Sequence, residues 1–200
     1  MTQVERIRQT IEQFPLGEPF FPIQLITLGS RNYIDQTLFR LEKEGVVSRI
    51  ARGIYMRPKK NRFLGVVMPN AFQVAQKLAE ITGEMVQVNG AEATRQLGLS
   101  TQVSVKPVYW TSGPDRRFRM GEQEVILKHV ASRKIAHAGS IVGLAITALW
   151  YLGKETVSFE VLEKIKAQMT AGQYQEFLNA VSNMPTWLVN LLQKFEYQHE

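Results

Sequence analysis

The stretch L-F-R-L-E-K-E-G-V-V-S-R-I-A-R-G-I-Y-M-R-P-K-K, Leu38 to Lys60, decides how the first third of the chain folds. Gly45 stops a helical pattern. Beyond it, the β-branched and aromatic segments Val46 to Ile50 and Ile54 to Met56 flank Ala51-Arg52-Gly53, a short connection with glycine where a left-handed residue is needed. This is the pattern of a β-hairpin. Immediately upstream, Ser30 is placed as an N-cap, and Ile34, Leu38 and Leu41 recur at spacings of 4 and 3, a buried stripe that predicts a helix running to Gly45.

Two more helices precede it. Val4, Ile7, Ile11 and Phe14 make one apolar face opposite Glu5, Arg8 and Glu12, and this helix ends before Pro15 and Gly17. In F-F-P-I-Q-L-I-T-L-G, Pro22 allows a helix to begin and Gly29 stops it within two turns. Three short helices followed by a hairpin predict a winged helix-turn-helix over residues 1–62, with the third helix entering a DNA major groove and the wing lying along the adjacent backbone.

The faces of the third helix outside its buried stripe hold Arg31, Asn32, Tyr33, Gln36, Thr37, Arg40 and Lys43. The wing adds Arg49, Arg52 and Arg57, and Lys59, Lys60 and Arg62 follow. The cations are expected to neutralise phosphates, which gives affinity and register, whereas Arg31 suits a guanine edge and Asn32 or Gln36 an adenine edge. The same helix-hairpin architecture also serves as a protein-binding adaptor that meets an acidic partner.

The charge distribution points the same way. Residues 1–64 hold 11 Lys and Arg against 6 Asp and Glu, residues 65–138 hold 9 against 6, and residues 139–200 hold 4 against 6, so the basic excess sits at the front. The chain has no cysteine, which excludes disulfides, thiolate zinc sites and cysteine nucleophiles. Only His129, His137 and His199 offer imidazole, and no metal or cofactor is assigned to them. No signal-peptide-like apolar core opens the sequence, and the longest apolar run, Ile141 to Leu152, is too short for a bilayer, so a cytoplasmic protein without membrane attachment is expected.

Met56 to Gly65, with its proline and charge run, is the expected boundary, and a second domain over residues 63–200 is expected to be mixed α and β. There a helix from Ala71 to Ile81, a strand M-V-Q-V and a helix from Ala91 to Leu97 precede a β-rich region, Val103 to Val130, read as a small antiparallel sheet. A helical tail follows: Ile141 to Leu152, Ser158 to Met169, Thr170 to Val181 and Pro185 to Phe195. Trp110, Trp150, Tyr151 and Trp187 are expected in the core. The fold class is thus α+β.

No nucleotide-binding, zinc-protease or serine-hydrolase motif is present. Pro114-Asp115 followed by Lys128 is a near miss to a metal-dependent nuclease, but Ile126 stands where the second carboxylate is needed, and Glu124 lies two residues too early. Arg116, Arg117, Arg119, Lys128, Arg133 and Lys134 form a candidate second basic face, to which either DNA or an acidic protein is suited. No catalytic residue is assigned, and the chain is read as a non-enzyme.

Three stretches carry a family resemblance: L-x-R-L-x-K-E-G-V-V-S-R-I-A-R-G-I-Y at the wing, N-G-A-E-A-T-R-Q-L-G-L-S-T-Q-V-S-V-K-P-V-Y-W-T-S-G-P-D-R-R from Asn89 to Arg117, and K-x-A-x-A-G-x-x-x-G-L-A-x-T-A-L-W-x-L-G-K from Lys134 to Lys154. Together they resemble the AbiEi-type antitoxins of type IV toxin-antitoxin systems and a related uncharacterised winged-helix family, over roughly residues 1–155. The resemblance implies an antitoxin that represses its own promoter by binding inverted repeats in double-stranded DNA, and that counters a nucleotidyltransferase toxin without a stable complex. It places Arg40, Arg49, Arg52 and Tyr55 on the motif's helix and wing, with Tyr55 structural.

Overall fold

The computed structural model describes residues 2–63, 65–102, 106–181 and 184–198. The segment from Val103 to Val105, read as strand, and His199 lie outside the described residues. The chain forms two compact units, Met1–Gly83 with Arg117–Val125, and Glu84–Arg116 with Ile126–Glu200. Both mix helices with small sheets, an α+β architecture.

In the first unit, α1 (Gln3–Glu12) opens with Thr2, whose side chain accepts from the Glu5 amide while Glu5 reaches back to Thr2, a reciprocal cap. It buries Ile7 and Ile11. The two-residue strand β1 (Pro19–Phe20) follows, and then the expected brief helix, a 3-10 turn over Pro22–Leu28. Then come α2 (Arg31–Lys43) and the hairpin of β2 (Ser48–Ala51) and β3 (Ile54–Met56). The sheet order β1-β3-β2 lays Phe20 opposite Tyr55, and their rings stack 6.0 Å apart. Ile7, Ile11, Leu25, Ile34, Leu38 and Leu41 close one core with these aromatics.

The expected boundary at 62/63 is occupied by structure. Lys59–Asn61 form β4, paired antiparallel with β5 (Gly65–Val67). The helix α3 (Ala71–Thr82), capped by Asn70, still belongs to the first unit because its Val74 is buried with Ile50, Ile54 and Met56 of the hairpin. The units therefore part after Gly83, a separation set by that packing and invisible to local composition.

The second unit begins with β6 (Val86–Val88) and α4 (Gly90–Gln96), capped by Asn89. Three strands follow, β7 (Val108–Thr111), β8 (Arg116–Met120) and β9 (Gln123–His129), in a sheet of order β6-β7-β9-β8. The β6–β7 pair is antiparallel and the β7–β9 pair parallel. The sheet expected to be antiparallel is therefore mixed, because β9 inserts between the two strands that precede it. In β8 and β9 the segment Arg117–Val125 counts with the first unit.

After a 3-10 turn (Ser132–Ile135) comes α5 (Ile141–Leu152), in which residues 142–149 are all buried, the signature of a helix surrounded by its own unit. The helix α4 approaches it so closely that a Cβ on Gly90 would fall 2.1 Å from the Tyr151 Cβ. This position tolerates only glycine. The helices α6 (Phe159–Lys166), α7 (Ala171–Val181) and α8 (Thr186–Tyr197) complete the tail. Lys166 and the Tyr174 hydroxyl both donate to Glu196, at 3.1 and 2.7 Å, and Gln168 donates to the Leu97 carbonyl at 2.6 Å. The aromatic expectation needs correcting: Trp110, Trp150 and Trp187 are only partly buried and Tyr151 is half exposed, because its ring flanks α4 and does not enter the core. No helix among the described residues is long and apolar enough to cross a membrane.

Candidate nucleic-acid interface

Ser30 starts α2: its extended backbone and its Oγ, which accepts from the Tyr33 amide at 3.4 Å, fix the entry of the chain. Ile34, Leu38 and Leu41 turn inward as expected. Thr37, expected to face outward, is buried instead and donates to the Tyr33 carbonyl at 2.9 Å. Tyr33 is half-buried against the first core. These two therefore build the helix rather than its outer face.

Arg31, Asn32, Gln36, Arg40 and Lys43 lie outside the core, and Phe39 is 53% exposed. The helical repeat sets Asn32, Gln36 and Arg40 in one row, with Phe39 and Lys43 beside it. The Lys43 ammonium sits 4.5 Å above the Phe39 ring. Phe39 escapes a reading of the sequence because it stands next to Leu38 in an apolar-looking run, although its phase on the helix lies well away from the Ile34–Leu38–Leu41 stripe. Arg31 donates through Nε to both Asp35 oxygens, at 3.1 and 3.0 Å.

The hairpin turn lies beside the start of α2. A Cβ built on Gly53, which adopts a φ of 73°, would lie 4.0 Å from Arg31 Nη2. The side chain of Arg52, in the same turn, is exposed and makes no hydrogen bond or ion pair among the described residues, and the same holds for Arg40, Lys59 and Lys60. Arg49 is exposed but bonds through Nε to the Ala51 carbonyl at 3.4 Å. Arg57 behaves differently, because its Nη1 donates to the carbonyls of Glu12 and Phe14, both at 2.7 Å, and so satisfies the open end of α1. Tyr55 is buried, and burial lifts its phenol above the ordinary value against the opposing charge of Arg49. At the β4–β5 hairpin, exposed Lys59, Lys60 and Arg62 lead to Phe63, which is 89% exposed.

In the second basic group, three members have partners of their own. Arg116 forms a two-pronged ion pair with Glu84, one prong at 2.6 Å. Arg133 and Lys134 lie 5.3 and 5.2 Å from the Trp150 ring centre. Lys128, Arg117 and Arg119 are exposed. Asp115 accepts from the His129 amide at 2.6 Å and ties its turn to β9, while His129 Nδ1 lies 2.9 Å from the Gly113 carbonyl. Among the described residues no three His, Asp or Glu side chains gather as a metal site.

The model of a family of unknown function, DUF6088, matches residues 6–176. No curated protein matches the chain.

Proposed function

Because the chain belongs to the DUF6088 family, whose function is unknown, we propose a role from the physical chemistry of its first unit: a winged helix-turn-helix that binds duplex DNA through α2 and the β2–β3 hairpin. The observation that carries this reading is the unburied face of α2, with Asn32, Gln36, Phe39, Arg40 and Lys43 in water and Arg31 adjoining the hairpin turn. Residues 45–79 add seven Lys and Arg with no Asp or Glu. Such a stretch attracts a polyanion, and the released counterions make binding favourable and salt-sensitive.

Asn32 and Gln36 read adenine edges, Arg31 is steadied by Asp35 toward a guanine edge, and Phe39 meets a thymine methyl. Arg40, Lys43, Arg52, Lys59 and Lys60 hold phosphates, with Arg49 in a lesser part. Tyr33, Tyr55 and Arg57 hold the fold. The regulatory role is that of a cytoplasmic transcriptional repressor. The resemblance to AbiEi-type antitoxins extends it to an autorepressor of a type IV toxin-antitoxin operon, functionally linked to a nucleotidyltransferase toxin.

The test is duplex binding by the full chain across a salt series, followed by selection of preferred sequences. Binding that weakens steeply with salt, and loses base preference on Asn32→Ala, supports the reading. No duplex affinity at low salt overturns it in favour of the protein-adaptor reading.

A further inference from the structure

The sequence of β8, R-R-F-R-M, alternates, and the first unit shows what the alternation serves. Phe118 and Met120 pack against the cluster of Ile50, Ile54, Met56 and Val74. Arg117 and Arg119 consequently face the other way and are exposed. With Arg52 of the hairpin turn, Phe118 and Glu124, they line a cleft of about 390 Å³. None of the three arginine side chains makes a hydrogen bond or ion pair among the described residues, and Glu124 is the single carboxylate in the lining. The strand is the outer one of its sheet.

We propose that Arg117 and Arg119 join Arg52 as a phosphate-binding extension of the DNA-facing surface, contributed by a segment more than sixty residues further along the chain. The proposal rests on the duplex-binding reading above and deepens it. Three guanidinium groups gathered around one cleft with a single carboxylate leave a net positive charge that the protein does not neutralise. The planar, always-charged guanidinium suits the phosphodiester oxygens. Because Arg52 already sits in the turn assigned to the DNA backbone, the anion that fits is the same backbone continued past the wing, not a free small anion. The contact carries no base information, so it adds affinity and salt sensitivity without altering sequence preference.

The experiment compares wild type, Arg117→Ala/Arg119→Ala, Glu124→Gln and Lys164→Ala in duplex-binding titrations over a salt series, with unfolding midpoints to verify that each variant is folded. Removing two phosphate contacts is expected to lower affinity roughly tenfold or more at low salt and to flatten the plot of log affinity against log salt by about 2. Glu124→Gln is expected to tighten binding, and Lys164→Ala, at a cation already paired with Glu160, to leave the slope unchanged. A folded Arg117→Ala/Arg119→Ala protein with the wild-type slope overturns the proposal while leaving the duplex reading intact. Absence of any wild-type binding instead defeats the duplex reading itself. Inorganic phosphate that competes beyond its ionic strength, and does so only while Arg117 and Arg119 are present, identifies a small-anion site and also overturns the proposal.

Discussion

The two units pair their cations to different degrees. In the second, Arg116 grips Glu84, Arg95 grips Glu92, Lys164 and Lys166 reach Glu160 and Glu196, and Arg133 and Lys134 lie over Trp150. In the first, Arg8, Arg31 and Lys77 are paired, but the side chains of Arg40, Arg52, Lys59, Lys60, Arg117 and Arg119 have no hydrogen-bond or ion-pair partner among the described residues. Paired cations brace a fold, whereas unpaired ones clustered on a surface add mutual repulsion and give the folded state nothing in return. The difference separates side chains held for architecture from those left available to an anion outside the chain.

Four measurements put that contrast at risk. The largest effect is expected from Arg40→Ala with Arg52→Ala, which should weaken duplex binding about 100-fold at low salt, about 2.7 kcal/mol. Its unfolding free energy should stay within about 0.5 kcal/mol of wild type, since neither side chain is paired. Arg116→Ala should do the reverse. It leaves the mostly buried Glu84 carboxylate without its counter-ion and should cost about 2 kcal/mol of stability in urea unfolding, with duplex affinity nearly unchanged.

Phe39→Ala comes next. Its ring is mostly in water, so stability should hardly move, while affinity for thymine-containing sites should drop about fivefold, near 1 kcal/mol. The smallest effect concerns Glu92, whose carboxyl is held below its ordinary value chiefly by the hydrogen bonds from Arg95, with burial pulling the other way. A lowered carboxylate adds stability above its unfolded value and loses it as pH falls through the folded one. Urea midpoints measured down the acid limb should therefore fall slightly less steeply in Arg95→Ala, by a small margin because water screens the pair.

The elements that could be read from the sequence are those with a strong local period and a cap. Ser30 with Ile34, Leu38 and Leu41, Ser140 before the apolar run of α5, and the hairpin around Gly53 all fall where expected. The β4–β5 hairpin reads as a linker in the sequence because Lys59, Lys60 and Asn61 are all exposed, so no alternation marks them as strand. Within the candidate site, Asn32, Gln36, Arg40, Lys43 and Arg52 could be picked out by their phase on the helix and their place in the turn. The distant roles of Arg57 and Arg116 could not, because an arginine that bonds to groups tens of residues away has the same local signature as a free one. Joining Arg52 to Arg117 and Arg119 required the packing of Phe118 and Met120, a contact that no short window contains.

That packing also imposes an order on synthesis. The first unit includes Arg117–Val125, so the cluster of Ile50, Ile54, Met56 and Val74 gains the cover of Phe118 and Met120 only after Val125 has been added to the chain. At ~5–20 residues per second the interval from Gly83 to Val125 lasts about 2–8 s, during which Ile54 and Met56 lack the cover of Phe118 and Met120.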